Sequence, residues 1–235
     1  MWDAAGQLQK VLDAEGWVWG LAWSPDGRWL AAQAKGQVRL WNSDLAPGPT
    51  LEGEGDAVHI AWSPDGSRLA VARMRARTVQ IWTSAWELEH TLSGHTDEVW
   101  AVAWSGEGDR LASSGNDGAV RIWKSDGTLL HVLPYANAAV LSLSFSPPGV
   151  LAACDNGSRV TAWEAVSGAP RWVLALLRDG QTASFTAAGQ LFDGNLDAVE
   201  KELVYDIETE DGQIQLLTAA EFYRRVPATR LAREP

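Results

Sequence analysis

The sequence predicts an all-β fold built from repeated four-stranded antiparallel sheets, and three observations predict it. Trp2, Trp41, Trp82, Trp123, Trp163 and Tyr205 recur 39, 41, 41, 40 and 42 residues apart. Trp23, Trp62, Trp104, Phe145 and Phe185 form a second ladder in step, at 39, 42, 41 and 40 residues. Each member of this second ladder opens a turn: WSPDG, WSPDG, WSGEG, FSPPG and FTAAG. A period of about 40 residues in short apolar segments marks stacked copies of one unit.

The third repeat shows what one unit is. Val99, Val102 and Trp104 lie in a short β-rich segment, and Ser105-Gly106-Glu107-Gly108 turns the chain. Leu111 to Ser114 is a second strand. Asn116-Asp117-Gly118 is a hairpin signal, because these residues accept positive φ. Val120-Arg121-Ile122-Trp123 alternates apolar and polar, the pattern of a half-buried strand. Ser125-Asp126-Gly127 turns again, and Thr128 to Leu133 is the fourth strand. One such sheet buries neither face alone. Radial stacking buries both, which predicts a β-propeller of about five four-stranded blades. The blades fall at 13–51, 52–92, 93–133, 134–174 and 175–217. Large aromatics at the ends of the first and third strands fill the wedges between them. Six of the 14 tryptophans, Trp17, Trp19, Trp29, Trp86, Trp100 and Trp172, stand outside both ladders.

Composition narrows function. A formal net charge of −11 repels phosphate backbones and anionic lipid, so neither nucleic acid nor membrane is an expected partner. A neutral or basic protein suits this surface better. Cys154 is the single cysteine and cannot form an internal disulfide, which points to the reducing cytoplasm. Its strand-like setting reads as a small buried apolar residue. There is no signal-peptide pattern and no apolar run of membrane-spanning length. His59, His90 and His131 fall in separate repeats without metal-ligand spacing. The acidic stretch Asp193, Asp197, Glu200, Glu202, Asp206, Glu208, Glu210 and Asp211 has no EF-hand spacing and reads as a solvated edge. No phosphate-binding glycine loop is present. No metal and no cofactor is therefore expected. Arg73, Arg75 and Arg77 alternate along one strand region, as on an exposed face or one that meets a partner's carboxylates.

Gly94-His95, Trp104 with its turn, Leu111-Ala112-Ser113, Asn116-Asp117-Gly118 and Val120-Arg121-Ile122-Trp123 together resemble the WD-repeat β-propeller family. The resemblance extends over roughly residues 2–217. Its Trp-Asp pair survives as Trp2-Asp3 and, in altered form, as Tyr205-Asp206, whereas Trp41-Asn42, Trp82-Thr83, Trp123-Lys124 and Trp163-Glu164 depart from it. The resemblance implies a buried hydrogen-bond network of His, strand Ser, turn Asp and Trp indole. Only the third repeat keeps all four, as His95, Ser113, Asp117 and Trp123. These are expected to be structural. A hydrolase reading of His, Asp and Ser lacks a strained nucleophile elbow and an oxyanion hole.

The ends of the chain are irregular. Trp2-Asp3 closes a third strand and Gly6 to Leu12 reads as a fourth, so 1–12 is an extra outer strand without its own first two strands. Two arrangements accommodate it. Either another segment or subunit completes the ring, or Leu8 to Leu12 pairs with the last blade, displaces 213–217 and closes five blades. Thr218-Ala219-Ala220-Glu221 is a capping box that opens a short C-terminal helix within 218–235. The Phe-Asp-Gly-Asn passage and the Ala-Glu-Phe-Tyr-Arg-Arg tail resemble the closing segment of WD-repeat regions in large bacterial signalling proteins.

In WD-repeat proteins the residue four places before the turn-opening aromatic lines the top of the central channel. The resemblance therefore points to Trp19, Val58, Trp100, Leu141 and Gln181. Two places earlier, at the top rim, come Trp17, Asp56, Glu98, Ala139 and Asp179. Trp17, Trp19 and Trp100 beside carboxylates suit a partner carrying Arg or Lys. The expected function is a non-catalytic interaction scaffold or sensor module of a bacterial multidomain signalling or defence protein. Self-association through open blade edges is the alternative. A channel-mouth enzyme would need carboxylates or histidines where Trp, Val, Trp, Leu and Gln stand.

Overall fold

A computed structural model describes residues 7–8, 11–14, 16–134, 138–146, 149–157, 159–176, 182–186, 191–194, 204–208 and 214–218. Among these residues the extended elements are strands and there is no helix. The chain divides into two compact units, Met1–Gly157 with Glu164–Ala169 and Ser158–Trp163 with Pro170–Pro235.

The first unit contains three four-stranded sheets, each a meander in chain order. They are β1 (Val18–Trp23), β2 (Trp29–Ala34), β3 (Gln37–Asn42) and β4 (Pro47–Leu51); β5 (Ala57–Trp62), β6 (Arg68–Arg73), β7 (Thr78–Thr83) and β8 (Leu88–Ser93); and β9 (Val99–Trp104), β10 (Arg110–Gly115), β11 (Ala119–Lys124) and β12 (Leu129–Pro134). A hairpin of β13 (Val140–Phe145) and β14 (Val150–Asp155) follows. The inner strands β1, β5, β9 and β13 lie side by side in that order. All these strands and pairings fall where the aromatic ladders place them.

The turn that each WSPDG opens is built from its own side chains. Ser24 Oγ donates to Asp26 at 2.6 Å and accepts the Trp29 amide at 3.0 Å. Ser63 and Asp65 repeat this at 2.6 Å, with the Arg68 amide on Ser63 at 2.9 Å. The Ser63 bond, with those from the Ser67 amide and hydroxyl, holds the Asp65 carboxyl down at about 2. In the third sheet the acid moves to Asp109, which accepts from Ser105 at 2.9 Å.

Adjacent sheets interlock through the ladder residues. Trp62 Nε1 donates to Ala22 O at 3.2 Å, and Trp104 Nε1 donates to Ala61 O at 3.1 Å. These two turn-opening indoles thus bond the preceding sheet about one repeat away. The Phe145 ring has no N–H to continue the series. Apolar burial does the rest: Ala70, Ala72, Val79 and Ile81 of the second sheet pack against Val102, Leu111 and Trp123 of the third. A fully buried Leu or Ile there contributes about 1.5–3 kcal/mol.

Two of the unassigned tryptophans belong to this packing. Trp86 lies edge-on to Trp29, with centroids 5.0 Å apart, and to Trp62 at 6.0 Å. Trp86 has a φ of 66° in the β7–β8 turn, where the corresponding turns carry Leu45, Gly127 and Gly168, also at positive φ. An indole at a position that favours glycine is strained, and its contacts with two neighbouring indoles offset that strain.

The second unit contains β15 (Arg159–Glu164), β16 (Pro170–Leu176), β17 (Thr182–Thr186) and β18 (Leu191–Gly194), consecutive in one sheet, and a separate pair of β19 (Val204–Glu208) and β20 (Ile214–Thr218). Here the pairing differs from the expected series of separate blades. The outer strand β16 bonds directly to β17, with Val173 opposite Phe185 and Leu174 opposite Ser184. An outer strand is an open edge, and the next apolar segment in the chain has paired with it. Trp2, Asp3 and the helix expected from Ala219 onward lie outside the described residues. Of the expected strand at 6–12, Leu8 forms an isolated bridge, whereas Val11 and Leu12 carry no regular structure.

Candidate functional site

Two groups of predicted residues come together in the first unit. The first is the polar network of the third sheet. His95 Nδ1 lies 3.0 Å from both Asp117 oxygens, and His95 Nε2 lies 2.8 Å from Ser113 Oγ. Trp123 Nε1 donates to Ser113 Oγ at 2.9 Å. One tautomer satisfies the chain: Trp123 donates to Ser113, Ser113 donates to Nε2, and Nδ1–H donates to Asp117. Asp117 also accepts the Thr96 amide at 3.1 Å and Arg121 Nη1 at 2.7 Å. Arg121 was not among the predicted members. In this tautomer its 2.8 Å approach to His95 Nδ1 is a contact between two donors, bridged by the Asp117 carboxylate.

These contacts set the protonation states. Burial, and then the nearby Arg121 charge, hold His95 below the ordinary histidine range, against the upward pull of Asp117. Burial alone would raise Asp117, but His95, the Thr96 amide and Arg121 outweigh it and hold the carboxyl below its usual range. The network therefore holds a neutral imidazole and a carboxylate. Both groups have folded pKa values below their unfolded ones, so each contributes stability that is lost on acidification. Stability is expected to fall first as pH drops below about 6.5 and again below about 3.9. Unfolding midpoints measured from pH 8 to 3 check this, and His95→Gln is expected to reduce the first step, the remainder coming from His59, whose burial also holds it below the ordinary histidine range.

The second group is an open cavity of about 490 Å³ lined by Trp17, Trp19, Val58 and Trp100 with Lys35, Asp56, Met74 and Arg75. Trp17 and Trp19 are strongly exposed and belong to no core cluster. Trp100 is oriented by its surroundings. Its Nε1 donates to Asn116 Oδ1 at 2.7 Å, and Asn116 Nδ2 donates to Glu98 Oε2 at 3.2 Å. Glu98 therefore adjoins the cavity through Asn116. Leu141 is exposed on β13 and is not part of this lining, and Gln181 lies outside the described residues. Lys35, Met74, Arg75 and Asn116 complete the site but carry no signal in the repeat register, because they sit in turns of differing length.

The three arginines do not share one exposed face. Arg73 is completely buried. Its Nε donates to Gln80 Oε1 at 2.8 Å, its Nη1 to Gly36 O at 2.8 Å and its Nη2 to Leu51 O at 3.3 Å. Sheets stack on both sides of β6, so alternation along it cannot lead to solvent. Cys154 lies in β14 half-buried rather than fully buried. Among the described residues no group of His, Cys, Asp or Glu side chains could hold a metal ion. No helix among them is long and apolar enough to cross a membrane.

With this geometry in view, comparison with known proteins is direct. The WD domain, G-beta repeat family matches residues 6–42, 46–83 and 86–124. Three stretches of the chain thus match WD40 repeats, and its all-β fold resembles that of WD40 propellers. It resembles "Cell division cycle 20.1, cofactor of APC complex" of Arabidopsis thaliana, 32% identical over 164 residues, 63% of this chain and 35% of that protein. It also resembles "Probable cytosolic iron-sulfur protein assembly protein Ciao1" of Drosophila mojavensis, 52% identical over 40 residues, 17% of this chain and 12% of that protein. The chain thus spans well under two thirds of the length of these relatives. Among solved structures, U3-55K and the RRP9 WD40 repeats each superpose with a TM-score of 0.62 at 17% identity, over 84% of this chain and 68% and 67% of theirs. That likeness concerns the fold alone.

Proposed function

We propose that this chain is a non-catalytic protein-interaction scaffold that binds a partner segment on the face carrying Trp17, Trp19 and Trp100. The observation that carries the reading is the convergence of three tryptophans on one open cavity. Exposed indoles are costly in water and contribute strongly to binding when a partner covers them. The net charge of −11 favours a partner bearing Arg or Lys, for which Asp56 at the cavity and Glu98 beside Trp100 are acceptors, opposed locally by the cations of Lys35 and Arg75. WD40 repeats in general serve as interaction platforms, which agrees with this reading. A cytoplasmic setting follows from the single cysteine.

The finer setting, a module of a bacterial multidomain signalling or defence protein, rests on the Phe192-Asp193-Gly194-Asn195 passage and the tail after it. The relatives described above come from a plant and a fly and give that setting no support. Its test is the genomic neighbourhood: a coding sequence with no effector or nucleotide-switch domain attached would reject it.

The interaction reading is tested with a partner isolated on the wild-type chain. Trp19→Ala combined with Trp100→Ala is expected to weaken binding by about 2 kcal/mol or more, roughly 30-fold. The unfolding midpoint should remain close to wild type, since Trp19 packs in no core. Unchanged affinity of the double variant would reject this face as the site.

A further inference from the structure

The three arginines around the β6–β7 turn are held in three different ways. Arg73 is buried and bonded as described. Arg77 adopts a left-handed φ of 58° and donates from Nη1 to Thr96 O at 2.9 Å. Arg75 is held only by an ion pair, Nε to Asp56 Oδ2 at 3.4 Å, with side chains 72% and 44% exposed. An exposed pair of this length contributes between nothing and about 1 kcal/mol.

The backbone is nevertheless shaped around this weak pair. Gly36, at a φ of 76°, leaves room for the Asp56 carboxylate, since a Cβ there would come 2.7 Å from Asp56 Oδ1. Gly55, at a φ of 74°, lets the turn carrying Arg75 fold close, since its Cβ would come 2.6 Å from the Ala76 amide. Both close approaches bring Asp56 and Arg75 into the cavity with Trp17, Trp19 and Trp100. A guanidinium thus already sits against a carboxylate, in a cavity walled by three indoles, on a loosely held side chain.

We infer that Asp56 is the subsite for a partner's arginine and that Arg75 occupies this subsite in the free protein and is displaced on binding. The inference rests on the reading of the tryptophan face as the partner site. The exchange of one guanidinium for another at Asp56 contributes little by itself. The gain comes from covering the indoles with the incoming side chain, whose planar cation is attracted to their faces. Lys35 and Arg75 both line the cavity with the single carboxylate of Asp56, so an entering cation meets like charge until Arg75 leaves. Arg75 therefore competes with the ligand and sets the affinity threshold.

The test is titration of the intact chain with the tripeptide acetyl-Ala-Arg-Ala-amide, followed by calorimetry and by the indole N–H resonances. Peptides with Gln or Glu at the centre serve as controls. Arg75→Ala is expected to bind the arginine peptide roughly 3- to 10-fold more tightly than wild type, and Asp56→Asn added to Arg75→Ala is expected to weaken that binding about 10-fold. Asp56 enters the fold through its backbone carbonyl, which accepts the Met74 amide at 2.9 Å, so both variants should unfold like wild type. Binding that is equal or weaker in Arg75→Ala would overturn the displacement inference and leave the tryptophan face standing. Equal binding of the glutamine peptide would overturn the Asp56 subsite. Absence of binding to every variant, or preference for the glutamate peptide, would overturn this inference and the basic-partner reading together.

Discussion

Replacing Asp117 with alanine is expected to destabilise the third sheet by about 3–5 kcal/mol, the cost of removing one partner from a buried charge pair. The side chains of His95, Asp117 and Arg121 are 1%, 3% and 9% exposed, so water does not take over the lost contacts. The carboxylate accepts from His95 Nδ1, the Thr96 and Ala119 amides and Arg121 Nη1, and its loss takes this acceptor from a buried cation and three N–H groups. Ser113→Ala removes only neutral bonds and should cost about 1–3 kcal/mol. Asp117→Asn keeps the shape without the charge and should fall between the two. Urea unfolding at pH 7.5 measures all three. A loss below about 1 kcal/mol for Asp117→Ala would show that the carboxylate behaves as an exposed one. The order Asp117→Ala, Asp117→Asn, Ser113→Ala separates charge from hydrogen bonding.

The architecture was legible because it rests on spacing. Turn-opening Trp62 and Trp104 donate to carbonyls one repeat back, so their interval is a packing dimension and appears directly in the sequence. The tryptophans at the cavity were legible for the same reason. Trp19, Val58 and Trp100 hold one register position in three repeats, and the structure brings them to one cavity. What lay outside the register was not legible. Asn116 and Arg75 sit in hairpins whose lengths differ from sheet to sheet, since the β2–β3 turn spans two residues and the β6–β7 turn four. Alternation also misled at one point. Val120-Arg121-Ile122-Trp123 reads as a half-buried strand, yet all four side chains are buried, because neighbouring sheets cover both faces. Arg121, the polar residue two places before Trp123, is therefore a network residue rather than a solvent-facing one. Pairing in the second unit was the least legible part, because an outer strand's open edge accepts whichever apolar strand follows it.

Gln80 holds that same position in the second sheet, and it leads to the other large expected effect. In this sheet Gly53 stands where His95 stands in the third, nine residues before the turn-opening tryptophan, and Val71 stands where Ser113 does. The network is not simply lost. The Arg73 guanidinium fills the space, and a Cβ at Gly53 would lie 2.7 Å from its Nη2. Gln80 Oε1 accepts both Arg73 Nε at 2.8 Å and Trp82 Nε1 at 3.3 Å, so the indole again joins a buried polar chain. Burial lowers the Arg73 pKa to about 10, partly offset by Asp56, so the side chain is still a cation at neutral pH. Its bond to Gly36 O also ties the second sheet to the first. Arg73→Ala is expected to cost about 3–5 kcal/mol, combining a cavity with the loss of the guanidinium's bonds to Gln80, Gly36 and Leu51, although Gln80 Oε1 keeps Trp82 Nε1 and Gly36 O keeps the Ala57 amide. Arg73→Met refills the volume but supplies no donors, and should recover only part of the loss, leaving a deficit of about 1–3 kcal/mol. Arg73→Lys retains charge but cannot fork toward Gln80, Gly36 and Leu51 together, so it should not restore wild-type stability. Thermal unfolding of the three variants discriminates between packing and polar satisfaction. Full recovery by Arg73→Met would show that volume alone matters at this position, and that the second sheet discarded the polar network instead of rebuilding it from arginine and glutamine.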